Sequence, residues 1–133
     1  MRDFVWKHKD EIKFFNTIHS YGQMVLLPWG YSYDPAPGIE KMQALADKAN
    51  QALFDFHGTS FDVGCIPCLL YEVSGGSSDW ALGEAGIPYA FAMELRDKGD
   101  YGFHLPPEQI FPSAEELWAF HISAAESIME EFA

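Results

Sequence analysis

At 133 residues, with 48% hydrophobic and 16% aromatic side chains, the chain holds enough apolar material for one compact domain with a buried core, which excludes disorder. Its formal net charge of -12, with arginine only at Arg2 and Arg96, argues against a phosphate backbone as partner, since binding one requires clustered cations. No apolar run is long enough to span a bilayer and MRDFVWKHKD lacks a signal-peptide core, so the chain reads as soluble, with neither a nucleic acid nor a membrane as partner.

Residues 2 to 10 suit a short helix, and KFFNTIH from Lys13 suits a strand ending near His19. The stretch NTIHSYGQMVLLPWGYSY reads as a buried strand, a second strand and an aromatic loop, because Ile18, Val25, Leu26 and Leu27 flank polar interruptions too brief for a helix. A single histidine in such a run is either a core residue or a ligand. From Gly38 the period changes: Ile39, Met42, Ala46, Ala49 and Leu53 recur at helical spacing, and Gly58 lies just past the expected helix end. Cys65-Ile66-Pro67-Cys68 is a CxxC without a second CxxC or a strand-to-helix thioredoxin setting. It is read as a local disulfide or two half-buried thiols, against a redox-active pair or half a zinc knuckle.

Ser74 to Asp79 forms a flexible turn into a helix from about Asp79 to Leu82, after which IPYAFAMELRD is the clearest buried strand. Ser113-x-x-Glu116 has the form of a capping box opening the last helix, with Trp118, Ile122, Ala125 and Met129 along one stripe. Alternating strands and helices define an α/β layer fold. There is no internal repeat, low-complexity segment or inter-domain linker.

Two side chains stand out for chemistry. Glu94 closes the apolar run Ile87 to Met93, where desolvation would raise its pKa and suit it to general-base work. The structural alternative is a salt bridge to Arg96 within the cluster ELRD. Tyr71 sits just before Ser-Gly-Gly-Ser, so it either travels with a mobile loop and closes over a ligand or packs with its hydroxyl in water.

The ordered segments IHSYGQ, PWGY, LLYEVSGGSSDWA and FAMELRDKGDYGFHLPPEQIFPSAEELW resemble the C-terminal half of zinc metallocarboxypeptidases of the pancreatic A and B kind, over essentially the whole chain. The resemblance implies that residues 1 to 133 form the C-terminal part of a three-layer αβα fold around a central mixed β-sheet, left incomplete here. It implies one zinc ion, with His19 as the third ligand and two more from an upstream H-x-x-E segment. Glu94 would draw a proton from the attacking water and pass it to the leaving amine. Tyr71 would close over the substrate's terminal carboxylate, Ser20 and Tyr21 would line the neighbouring subsite, and Phe103 would stand near the cleft wall.

In the same resemblance Ser78 falls where B-type members carry an acidic residue at the base of the specificity pocket and A-type members an apolar one. With Leu26, Ile66, Leu70 and Ala92 as the other wall positions, the pocket is neutral and mostly apolar, implying an A-type preference for apolar or aromatic C-terminal residues. Non-proline cis peptides are implied at Ser20-Tyr21, Pro28-Trp29 and Arg96-Asp97. The implied substrates are peptide or protein C-termini, in an extracellular setting.

The departures from the family bear on activity. A family catalytic domain is roughly twice this length, and the upstream half would supply two zinc ligands and the substrate-binding arginines, to which neither Arg2 nor Arg96 corresponds. His8-Lys9-Asp10-Glu11 has H-x-x-E spacing, but it lies in the helix leading to the HSY strand and reads as a solvated face. His57, His104 and His121 match no ligand position, and the segment after Trp80 is one residue longer than the common pattern. A half-sheet should also expose an edge and an apolar face, so partnering with the missing half or another chain is expected. Three readings follow: part of a zinc exopeptidase, a catalytically silent chain whose pocket of Tyr71, Ser78 and Phe103 binds peptide termini or a partner, or an acidic domain with reactive Cys65 or Cys68.

Overall fold

The computed structural model describes residues 1–133. A four-stranded mixed sheet runs in the order β1-β4-β2-β3, built from β1 (Phe14–Ser20), β2 (Met24–Leu27), β3 (Asp62–Cys65) and β4 (Tyr89–Leu95). β1 lies parallel to β4, β2 antiparallel to β4, and β3 parallel to β2. Helices α1 (Arg2–Lys7), α2 (Ile39–His57), α3 (Ile66–Leu69), α4 (Ser77–Gly83) and α5 (Ile110–Phe132) cover the two faces.

Alternation along β4 sorts its side chains between the layers. Tyr89, Phe91 and Met93 point into the main core with Met42, Leu53, Phe120 and Ile128 from α2 and α5. On the opposite face, Ala90 packs with Ile87, with Ala81 of α4 and with Val5 of α1. A third small cluster joins Ala92 to Leu26 and Ile66. The result is a three-layer αβα arrangement with β4 at its centre.

The α2 stripe lies where the periodicity puts it, with Met42, Ala46, Ala49 and Leu53 fully buried and Ile39 partly so. Gly58 ends that helix in the left-handed conformation at φ 74°, with its N–H bonded to the Phe54 carbonyl. The expected burial of the first two strands holds for β2. It fails for β1, whose Ile18, His19 and Ser20 are exposed because β1 is the sheet edge.

α5 corrects the sequence reading twice. The helix begins at Ile110, so Ser113 sits a turn inside it, buried, and Glu116 turns inward to Arg96 instead of back to a cap. The buried stripe is Phe120, Ala124 and Ile128, whereas Trp118 and Met129 are 67% and 71% exposed. Both stripes have helical spacing, and packing against α2 selects one of them. β3 and α3 complete the strand-to-turn passage around the cysteines, which form a disulfide between Cys65 and Cys68 with Cα atoms 5.1 Å apart. The peptides Ser20-Tyr21, Pro28-Trp29 and Arg96-Asp97 are cis.

Candidate active site

His19 and Glu94 are register partners across the parallel β1 and β4 strands, so their side chains emerge side by side on one face near the strand ends. That face also carries Thr17, and its Oγ1 lies 2.8 Å from His19 Nε2. In the tautomer where Nε2–H donates to Thr17, Nδ1 keeps its lone pair. Exposure of His19 removes its reading as a core residue.

Glu94 has one buried carboxylate oxygen, Oε2, without a hydrogen-bond partner. Burial pushes its pKa above the ordinary carboxylate value, and the neighbouring His19 charge partly opposes that shift. Arg96 does not neutralise it. The Arg96 guanidinium instead donates to Glu116, Thr59 and Gln109, so the salt-bridge alternative for the ELRD cluster is replaced by an Arg96–Glu116 pair.

The turn after β1 holds this arrangement. The amides of Gly22 and Gln23 both donate to the Leu95 carbonyl, fastening the turn to the end of β4. A Cβ on Gly22 would come within 2.2 Å of the flexible end of Met24 at Cε and 3.3 Å of Glu94 Cβ, so a side chain there would make both give way where the turn passes close to Glu94.

His19 and Glu94 open onto a cavity of about 450 Å³. Leu26, Ile66, Leu70 and Ala92 form its apolar wall, and Ser78, at 2% exposure, supplies one small hydroxyl. Tyr71 lies at the mouth and is 69% exposed. Ser20, Tyr21 and Phe103 lie outside this cavity. Tyr21 and Phe103 stack edge to face with centroids 5.1 Å apart, making a separate aromatic wall beyond the end of β1.

Sequence reasoning missed Thr17, although its i−2 spacing from His19 on a strand places it on the same face. It also missed Asp79. Both carboxylate oxygens of Asp79 accept from the Gly30 amide at 3.0 Å, and the Gly30 carbonyl accepts from the Val73 amide at 2.8 Å. The buried Asp79, its pKa raised by burial against the opposing bonds from Gly30 and Tyr31, therefore ties the PWGY loop to the helix that carries Ser78. An acidic residue in the first turn of α4 was the available signal.

No group of three or more His, Cys, Asp or Glu side chains is placed to hold a metal ion. His8 and Glu11 approach to 3.6 Å as an isolated pair, His57 pairs with Glu115 at 2.8 Å, and His121 packs between Asn16 and the Leu117 carbonyl. A zinc ion needs three or four donors, of which this face offers one imidazole beside an unpartnered buried carboxylate oxygen. His19 fits one donor position of such a site.

The raised pKa of Glu94 makes a stability prediction. A carboxyl whose folded pKa exceeds its unfolded value stabilises fully below the unfolded pKa, and that contribution is lost as pH rises through the folded pKa. Glu94→Gln is therefore expected to melt above the native chain at about pH 7.5 and to lose that advantage near about pH 4, as read by thermal denaturation at both values. An equal difference at both values would remove burial of the charge as its cause.

The family model for zinc carboxypeptidases matches residues 1–120. The chain belongs to the zinc carboxypeptidase family. Carboxypeptidase A2 of Rattus norvegicus is 47% identical over 116 residues, covering 87% of this chain and 27% of the relative. Carboxypeptidase B of Astacus astacus is 42% identical over 118 residues, covering 89% and 39%. Among solved structures, bovine thrombin-activatable fibrinolysis inhibitor in complex with tick carboxypeptidase inhibitor superposes with a TM-score of 0.94 at 33% identity, over 98% of this chain and 44% of that one. The chain thus spans between about a quarter and two-fifths of these curated relatives.

Proposed function

We propose that residues 1–133 are the C-terminal half of a zinc carboxypeptidase catalytic domain and carry the proton-relay and specificity side of a site that removes C-terminal residues from peptides. The observation that carries this reading is the pairing of His19 with Glu94 across β1 and β4, at the mouth of a cavity with an apolar wall. His19 would hold one zinc ion together with two ligands from an upstream half. Zinc, when bound, would polarise the scissile carbonyl and lower the pKa of water.

Glu94 takes the proton from the attacking water and delivers it to the leaving amine, a role favoured by a carboxyl whose pKa burial has raised. The substrate's last side chain enters between Leu26, Ile66 and Ala92. Small residues at Ser78 and Ala92, with no carboxylate in the lining besides Glu94, favour apolar or aromatic side chains over cationic ones. Tyr71 closes over the terminal carboxylate, while Ser20, Tyr21 and Phe103 contact the residue before the scissile bond. The unpaired edge of β1 and the exposed Trp118 and Met129 are consistent with a surface that the upstream half covers.

The Cys65–Cys68 disulfide supports an extracellular setting. No helix is long and apolar enough to cross a membrane. A second reading, a silent chain that binds peptide termini, is favoured by the single imidazole at the site.

Zinc stoichiometry and hydrolysis of a blocked dipeptide ending in phenylalanine separate the two readings. The chain alone is expected to hold zinc weakly and turn nothing over. Joined to the upstream half of rat carboxypeptidase A2, it is expected to bind one zinc equivalent that His19→Ala releases, and to hydrolyse the dipeptide. An inactive joined chain that still binds the dipeptide's carboxylate product would establish the silent reading.

A further inference from the structure

We infer that the Cys65–Cys68 disulfide is a brace on the apolar wall of the specificity pocket. The inference rests on the carboxypeptidase reading for the pocket's purpose, and on geometry alone for the brace.

The wall element needs one. α3 spans only Ile66–Leu69, and no side chain caps its N-terminus. An isolated single turn is unfavourable, because fixing its backbone costs more entropy than one hydrogen bond returns. Here that bond runs from the Leu70 amide to the Ile66 carbonyl, at 2.9 Å. The tertiary anchors are also few: Ile66 is buried against Leu26 and Ala92, and Leu69 lies over Gly64, where a Cβ would come within 3.3 Å of its side chain.

The disulfide ties the two sides of this turn together. Cys65 is the last residue of β3, in register with Leu27 of β2, so it is fixed to the sheet. Cys68 lies inside the helical turn, and Pro67 between them restricts the backbone further. The bond therefore ties the turn directly to the sheet, holding Ile66 in the pocket and setting where the chain leaves toward Leu70 and Tyr71. Cys68 is exposed, so a soluble reductant can reach it. With a dithiol, a thiolate attacks the Cys68 sulfur and Cys65 leaves as a thiolate that takes up a proton. The second thiol then closes the reagent's own disulfide and frees Cys68 as a thiol.

The test uses the whole chain in three forms: oxidised, reduced with dithiothreitol, and C65S/C68S. Amide exchange is followed by NMR, together with the methyl signals of Leu26, Ile66 and Ala92 during titration with 3-phenylpropionate. Loss of the brace is expected to speed exchange of the Leu70 amide by about tenfold or more while leaving Phe91 and Met93 protected. It is also expected to weaken 3-phenylpropionate several-fold. Unchanged Leu70 exchange in both disulfide-free forms would overturn the inference. Faster Leu70 exchange with no 3-phenylpropionate response in any form, nor in the oxidised chain joined to the upstream half of rat carboxypeptidase A2, would uphold the brace and count against the carboxypeptidase reading of the pocket. The reduced native chain keeps the test decisive should the serine variant fail to fold.

Discussion

Glu94→Gln, in the chain joined to the upstream half of a related carboxypeptidase, is expected to lower kcat by about 10³-fold with KM little changed, since a positioned proton-transfer group contributes about 10²- to 10⁴-fold. The carboxylate has two tasks in the proposed reaction, and glutamine performs neither: it takes no proton from water and returns none to the leaving amine. In the proposed binding mode substrate contacts would be untouched, because the apolar wall would hold the side chain and Tyr71 with the upstream arginines the terminal carboxylate. Zinc content should also remain at one equivalent, since His19 is intact.

The stability effect runs the other way. The same substitution removes a charge whose carboxylate includes a buried, unpartnered oxygen, so the variant is expected to be more stable than the native chain at neutral pH. Opposed effects on turnover and stability mark a site that keeps a costly group for its chemistry. A variant that lost turnover and stability together would point to a packing role for Glu94. Steady-state kinetics, metal analysis and a thermal melt on one preparation distinguish these outcomes.

Where a local pattern had one solution, the sequence was enough. Tyr89, Phe91 and Met93 alternate with Ala90, Ala92 and Glu94 in a run that fits only a strand covered on both faces, and β4 is that strand. The face of α2 was similarly unambiguous. In α5 the apolar residues form two stripes of equal spacing, and only the packed partner decides that Phe120 is buried and Trp118 exposed. Position within the sheet was also invisible: the β1 sequence reads as a buried strand, but its place at the edge leaves Ile18 exposed.

The candidate site divides the same way. Segments in a recognisable order single out His19 and Glu94, and the register across β1 and β4 brings them together. Local proximity misled at Arg96, because its partner Glu116 is twenty residues away in sequence, on α5. Asp79 was missed for the same reason: its partner Gly30 lies 49 residues back along the chain.

Glu116→Ala is expected to destabilise the chain by about 3 to 5 kcal/mol, the usual consequence of removing one partner from a buried ion pair. The Glu116 side chain is 1% exposed and that of Arg96 is 16%, so water cannot replace the lost carboxylate. Its two oxygens accept from Arg96 Nε at 2.8 Å and from Nη2, and Thr59 donates to the same carboxylate. Arg96 further donates to Gln109, so the pair joins the end of β4, the α2-to-β3 loop and the start of α5. Urea denaturation of Glu116→Ala, Arg96→Met and the Arg96→Met/Glu116→Leu pair would measure the effect. The paired variant should recover much of the loss, because it removes both charges and fills the space with apolar groups. In the chain joined to the upstream half, turnover should not recover with it. Arg96 lies two residues beyond Glu94, and methionine has no donors with which to hold that strand end to Thr59 and Gln109. Stability regained with kcat still low would assign the pair to placing the end of β4; both regained together would leave it a structural contact whose hydrogen bonds the catalytic strand does not require.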